Sequence, residues 1–396
     1  MSRFSAASPA ALLALALVLV SPTAAVAAPT AASSRVSAAT ASGAHTSLPR
    51  PTGPYAVGRE SLHMVDRSRP DPWVPAAGAR ELMVGMYYPA RSGTGTPAQY
   101  ATVEEARLLL ADAGLGGVVP AETLSGTGND VRADARPVRG RYPLVVLSPG
   151  FGASAFTLTG LAEELAGRGY VVAAIDHAYE SAGTAFPDGR MLTCVACTKV
   201  RTEEELAAVP AGRAKDVSFV LDRLTGSRPA WRYADLIDRK RIGMAGHSIG
   251  GASAAAAMAG DRRIRAGVNM DGAFHSTVPE DGLDGRPFLM FGTDDDTHRP
   301  GGDDRSWGQA WDRLTGWKRW LTVAGATHYS FTDVPLFLDQ LGVPSPESAS
   351  KLPGGRALEL TRAYVGAFFD VQLRHVRRPL LDGPTSAHPE VVFNNP

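Results

Sequence analysis

Two hydrophobic periods alternate along the middle of the chain. Short, almost wholly apolar runs occur at YPLVVLS (142–148), YVVAAIDH (170–177), RIGMAG (241–246), IRAGVNMD (264–271), RPFLMFG (286–292) and KRWLTVAGA (318–326). Runs of this kind, ended by Pro, Gly or a polar residue, predict strands buried on both faces. Between them lie stretches whose apolar residues recur three and four apart. FTLTGLAEELAGRG carries Leu158, Leu161 and Leu165 and stops at a glycine, while AKDVSFVLDRLTG (214–226) carries Val217, Val220, Leu221 and Leu224. Both predict helices, and the small-residue run GGASAAAAMAG (250–260) predicts a third. Upstream, ELMVGMYYPA (81–90) reads as an early strand, and VEEARLLLADAG as the one helix in an irregular stretch from Arg91 to Arg141. Apolar strands alternating with helices imply an α/β fold with a mostly parallel, doubly wound sheet covered by helices on both faces. Ligands in such sheets bind beyond the carboxyl ends of the strands, so polar residues directly after strands are the candidates for chemistry.

The ends of the chain read differently. Arg3 precedes ALLALALVLV (11–20), and Ala25-Val26-Ala27 supplies a small-residue cleavage pattern, so residues 1–27 are expected to be a secretory signal peptide. Ten apolar residues are too few for a bilayer that needs about 20. Residues 28–50, rich in Ala, Ser and Thr without periodicity, are expected to be a disordered leader, 51–380 the catalytic domain and 381–396 a C-terminal tail. Lys plus Arg and Asp plus Glu stand at 40 each, so no basic excess exists to bind nucleic acid. The two cysteines, Cys194 and Cys197, form a C-x-x-C pair, and in an exported protein a local disulfide is expected rather than a redox or zinc site.

Candidate chemistry centres on Gly246-His247-Ser248-Ile249-Gly250, a G-x-S-x-G pattern between a predicted strand and a predicted helix. Such a turn lifts the serine hydroxyl beyond the sheet, at the N-terminus of the following helix. A serine nucleophile needs a base, because its hydroxyl is weak at neutral pH. His328, in AGATHYSFTD after the last predicted strand, is the expected base. His177 also ends a strand, but it precedes the serine, and it is assigned with His247 to a supporting role. The acid is either Asp271, alone at the end of an apolar strand, or one of Asp294, Asp295 and Asp296. The run from Asp294 to Asp304 also resembles, weakly, a calcium loop. Oxyanion donors are expected from the N–H groups of Phe151, in LSPGFGAS, and of Ile249. No metal and no cofactor is required by this chemistry. Leu108, Leu109 and Leu110 fit either a core-facing stripe or a face for transient contact with lipid.

LSPGFGAS, GYVVAAIDHAYESAGTAF, DRKRIGMAGHSIGGAS, NMDGAF and GATHYSFTD together resemble successive motifs of the secreted platelet-activating factor acetylhydrolase family. The resemblance runs over about residues 55–375 and is densest over 142–332. It implies an α/β-hydrolase that releases short or oxidised sn-2 acyl chains from phospholipids through a Ser-His-Asp triad and an acyl-enzyme, without a metal. It also implies that the acid follows the strand after the nucleophile helix, which favours Asp271. Pro149 stands where the family often has histidine. Bacterial relatives include esterases, lipases and polyester hydrolases, so a cutinase-like activity is the first rival, and a non-catalytic binding protein on the same scaffold is the rival from another class.

Overall fold

The computed structural model describes residues 45–275, 277–344 and 351–396. The expected signal peptide and most of the expected leader lie outside the described residues. Thirteen strands are present among the described residues: β1 (Ala56–Pro70), β2 (Ala79–Ala90), β3 (Thr96–Pro97), β4 (Val131–Ala133), β5 (Tyr142–Ser148), β6 (Val171–His177), β7 (Thr184–Ala185), β8 (Met191–Leu192), β9 (Ile237–His247), β10 (Ile264–Met270), β11 (Phe288–Thr293), β12 (Lys318–Val323) and β13 (Val391–Phe393). Eleven of them make one sheet in the order β13-β12-β11-β10-β9-β5-β6-β2-β1-β4-β3. From β12 across to β6 every neighbour is parallel, whereas β2 and β13 join antiparallel at either flank. The helices are α1 (Val103–Asp112), α2 (Ala121–Ser125), α3 (Thr159–Gly167), α4 (Ala196–Lys199), α5 (Glu203–Thr225), α6 (Ile249–Gly260), α7 (Arg305–Arg313), α8 (Val334–Leu341) and α9 (Gly354–Arg374).

Strand alternation divides the core in two. Leu144 and Val146 of β5 face a layer that contains Val217 and Leu221 of α5, Ala254 and Met258 of α6, and Trp307 of α7. Val145 and Leu147 face the opposite layer, with Leu161 and Leu165 of α3 and Tyr364 and Phe368 of α9. Both faces of the central strands are dry, which is why their sequences are continuously apolar rather than alternating.

Three sequence expectations change, and two long elements go beyond them. The helix expected over 214–226 begins at Glu203, where Thr202 and Glu205 form a reciprocal cap, and it continues through Pro210. β1, a 15-residue strand paired antiparallel with β2, and α9, a 21-residue helix, were not predicted at all. The end of the expected leader is not loose: Leu48 is buried, its N–H bonds Gly128 O at 2.8 Å, and Thr46 Oγ1 meets Thr127 Oγ1 at 2.6 Å. Nor are residues 381–396 a tail, because β13 pairs with β12 and Leu381 and Val391 are buried in the α9 layer.

Candidate active site

β9 delivers its last buried residue, His247, and the chain then turns through Ser248 at φ 55° and ψ −127° before α6 begins at Ile249. A left-handed φ at a serine costs about 1–3 kcal/mol and persists only where its surroundings hold it. Here the Ser248 N–H bonds Met270 O at 2.8 Å, and the flanking glycines allow backbones to touch. A Cβ on Gly246 would lie 2.1 Å from Gly250 O, and one on Gly250 would lie 2.1 Å from Ser148 O. Both glycines of the pentapeptide are therefore steric requirements of the turn. Ser248 stays partly exposed while the residues on either side are buried.

The Ser248–Met270 bond sets the Ser248 turn beside the end of β10, and Asp271 is the next residue. Asp271 also has a positive φ, 59°, and its N–H bonds Phe291 O at 2.9 Å. Its buried carboxylate takes the Thr293 N–H at 2.7 Å and the Thr293 hydroxyl at 3.0 Å on Oδ1, and it meets His328 Nδ1 at 2.7 Å through Oδ2. Burial pushes this carboxyl up, but the His328 bond, the neighbouring His298 and the Thr293 amide outweigh it, and its pKa lies below the usual value. An ionised acid on Nδ1 makes Nε2 the nitrogen of His328 that can accept a proton.

His247 supports that histidine through its backbone. Its Nε2–H donates to His328 O at 2.7 Å, and the two rings lie 4.6 Å apart. Burial, then the nearby His328, push the His247 pKa down to about 3, so it remains a neutral donor. The three consecutive aspartates do not reach His328. Asp294 is held by Arg299 at 2.9 Å and by Thr322 at 2.9 Å, while Asp295 accepts the N–H groups of Thr297 and His298 at 3.0 and 2.9 Å. Among the described residues, no group of three or more His, Cys, Asp or Glu side chains is arranged to hold a metal ion.

The loop after β5 closes on the same point. A Cβ on Gly150 would lie 3.5 Å from Ser248 Cβ and 3.0 Å from His247 Nδ1. Neither the Phe151 nor the Ile249 N–H has a protein acceptor among the described residues. These are two donors beside the serine with their hydrogen-bonding capacity unspent.

The model of the family described as platelet-activating factor acetylhydrolase, isoform II, matches residues 40–191 and 224–344. The chain belongs to this family. A probable 1-alkyl-2-acetylglycerophosphocholine esterase of Arthroderma benhamiae is 29% identical over 375 residues, covering 87% of this chain and 93% of that protein. The platelet-activating factor acetylhydrolase of Cavia porcellus is 23% identical over 329 residues, covering 73% of this chain and 69% of that protein. Among solved structures, a ferulic acid esterase from Streptomyces cinnamoneus is 44% identical, with a TM-score of 0.78, covering 88% of this chain and 99% of that one. The chain is an α/β-hydrolase that acts on carboxylic esters.

In this family member an apolar cleft of about 310 Å³ runs from the Phe151–Ala153 loop to Tyr329, the residue after His328. Its walls include Leu109, Leu110 and Leu115 from the α1 region, Phe156, and Phe337 and Leu338 from α8. Of the leucines weighed for lipid contact, Leu110 is buried, Leu109 lines this cleft and Leu108 packs at Gly183. A larger and more open hollow of about 740 Å³, between Asp66, Lys215 and His275, lies apart from these groups. Cys194 and Cys197 form a disulfide, with Cα atoms 5.2 Å apart. A Cβ on Gly152 would lie 3.7 Å from Cys197 Sγ, so the bridge backs the loop that carries Phe151.

His177 has other partners. Its Nδ1 bonds Asp216 Oδ2 at 2.7 Å and its Nε2 meets Ser148 Oγ at 3.0 Å. That set repeats the residue types of a hydrolytic triad, yet Ser148 is wholly buried and no ester could reach it. Sequence reasoning missed Thr293 and His298 around Asp271, and it missed Arg213, Asp216 and Glu180 behind the loop. Arg213 and Asp216 did carry a signal: they fall three apart on the apolar face of α5, in line with Val217 and Val220.

Proposed function

We propose that the protein is an exported serine esterase in which Ser248, His328 and Asp271 carry out two-step acyl transfer. His328 Nε2 takes the hydroxyl proton as Ser248 Oγ attacks the ester carbonyl, and Asp271 stabilises the imidazolium that forms. The N–H groups of Phe151 and Ile249 bind the oxyanion of the tetrahedral intermediate. Collapse of that intermediate releases the alcohol, which receives the proton from His328, and leaves the acyl group on Ser248. Water, deprotonated by His328, then attacks the acyl-enzyme and frees the acid. The observation that carries this reading is the His328–Asp271 bond of 2.7 Å beside a serine held in a left-handed turn. Export is supported by the charged, apolar and small-residue order of the first 27 residues and by the Cys194–Cys197 disulfide.

The acyl group is assigned to the 310 Å³ cleft, a volume at the small end of ligand pockets, which run from about 300 to 1,000 Å³. Its lining of Tyr100, Phe151, Phe156, Tyr329 and Phe337 suits a medium alkyl or an aryl acyl group. The aromatic ester suggested by the neighbour from Streptomyces cinnamoneus falls within that description, whereas the sn-2 acetyl ester suggested by the relative from Arthroderma benhamiae would leave most of the cleft unfilled. The test is a series of 4-nitrophenyl esters (acetate, butyrate, octanoate and ferulate) with an sn-2 acetyl phospholipid alongside. Leu115→Trp, which fills the cleft, is expected to lower kcat/KM for octanoate and ferulate about tenfold or more and to spare acetate. Equal loss on every ester would put the acyl group elsewhere.

A further inference from the structure

Behind the loop that carries Phe151 lies a buried guanidinium which none of the steps above uses. We propose that Arg213 is a positioning residue for ester hydrolysis, fixing the peptide plane that aims the Phe151 N–H at the oxyanion. The inference rests on the oxyanion role proposed above for Phe151.

In a trans peptide the carbonyl of one residue and the N–H of the next point in opposite directions. No peptide bond among the described residues is cis. Whatever grips the Gly150 carbonyl therefore also sets the direction of the Phe151 N–H. Two donors reach it: the Ala153 N–H at 3.3 Å and, at the limit of a hydrogen bond, Arg213 Nη2 at 3.5 Å. Arg213 Nη1 also donates to the neighbouring Pro149 carbonyl and, at 3.2 Å, to Ser148 Oγ. One planar fork thus engages three successive residues, the last of β5 and the first two of the loop, and Gly150 sits directly against Ser248.

The fork is itself immobilised. Arg213 is 1% exposed, and its Nε donates to Glu180 Oε2 at 2.7 Å. Glu180 Oε1 is held by Arg80 and by the Trp73 indole N–H, each at 2.8 Å, and the Glu180 backbone carbonyl takes the Gly152 N–H at 2.9 Å. The network therefore holds both ends of the loop, through carbonyls at Pro149 and Gly150 and through the amide at Gly152. Buried ion pairs are weak contributors to stability, because desolvation offsets their attraction. A set of them aimed at backbone carbonyls beside the nucleophile has a clearer use in preorganisation. Arg213 lies in the stretch between the two segments that the family model matches, 40–191 and 224–344.

The test compares Arg213→Lys with Phe151→Pro in the full chain, with rates normalised by active-site titration. Lysine keeps the charge for Glu180 but has no planar fork with which to engage several carbonyls. The expected result is a kcat for 4-nitrophenyl butyrate about 10–100-fold lower, a KM within about twofold, and a matching loss of affinity for a trifluoromethyl ketone that mimics the tetrahedral intermediate. Phe151→Pro removes the N–H, so adding Arg213→Lys to it should cost little more. Parental kcat and ketone affinity in Arg213→Lys, with Phe151→Pro impaired, would overturn the positioning role alone. Parental kcat in Phe151→Pro would instead overturn the oxyanion reading beneath it. Should Arg213→Lys fail to fold, Arg213→Gln with Glu180→Gln removes both charges together, and the same expectations apply. A loss confined to unfolded molecules, with the titrated kcat unchanged, would also count against the proposal.

Discussion

At Asp271 the chain chooses between carboxylates that look equivalent on paper. Asp271 and the run Asp294–Asp296 both follow apolar strands, and nothing in their spacing says which one turns inward. The structure separates them by what each carboxylate already holds. Asp271 faces His328 with its other oxygen tied to Thr293, whereas Asp294 is taken by Arg299 and Asp295 caps the turn at Thr297 and His298. These are tertiary hydrogen bonds, invisible to periodicity; a lone carboxylate leaving an apolar strand, together with the family resemblance, pointed to Asp271. Asp271→Asn is expected to lower kcat about 10³–10⁴-fold, because an amide that donates its N–H toward Nδ1 favours the wrong tautomer of His328. Asp294→Asn should leave kcat within about threefold. Steady-state rates on one ester check both, and the opposite order would move the acid to the aspartate run. The turn at Ser248 was legible for a simpler reason: glycines on both sides of a serine between an apolar strand and a small-residue helix mark a sharp strand–turn–helix.

Elements whose two faces are both dry were easy to read, and those that mix charge into a buried face were not. β5, β6 and β10 are continuous apolar runs and appear within a residue or so of their expected limits. In α5 the buried Arg213 and Asp216 interrupt the apolar stripe, and in α9 the buried Arg362 and Asp370 do the same. Each such group is matched by partners far away in sequence, as when Arg362 Nη2 meets Glu163 Oε1 at 3.0 Å. Asp333, just before α8, is the sharpest case. Its carboxylate takes the Gly160 N–H at the start of α3 and the Tyr100 hydroxyl, so it joins three segments around the cleft. Burial pushes its pKa up to about 7. An aspartate in the unfolded chain ionises near pH 3.9, so above that pH the folded protein retains a proton that the unfolded chain has lost. The stability this confers is complete below about pH 3.9 and is lost as pH rises through about 7. Asp333→Asn, which cannot ionise, should therefore gain melting temperature relative to the parent between about pH 5 and 8. Melting curves that stay parallel over that range would refute the raised pKa.

For the whole molecule, the sheet is longer at both flanks than the apolar runs suggested. β1, β4 and β3 extend one side beyond β2, and β13 closes the other against β12. Ser47 and Gln340 bond each other's polar groups at 2.8 and 2.9 Å, so the first described residues pack beside α8, and Leu48 joins the apolar cluster of Leu110, Phe156 and Phe337. The fold class was nevertheless legible from six apolar runs alone, because a parallel sheet with helices on both faces leaves the chain few other arrangements. The chemistry proposed above falls where that architecture presents strand ends: Ser248 after β9, Asp271 after β10, and the Phe151 loop after β5.

The claim on which everything else depends is that an acyl group passes through Ser248. The direct measurement is the titrated turnover of purified Ser248→Ala on 4-nitrophenyl butyrate, with its melting temperature beside the parent's. The account predicts an unchanged fold, a kcat about 10⁴–10⁶-fold lower, and no labelling by a fluorophosphonate that modifies the parent at Ser248. Turnover within tenfold of the parent, from a folded Ser248→Ala protein, would contradict it.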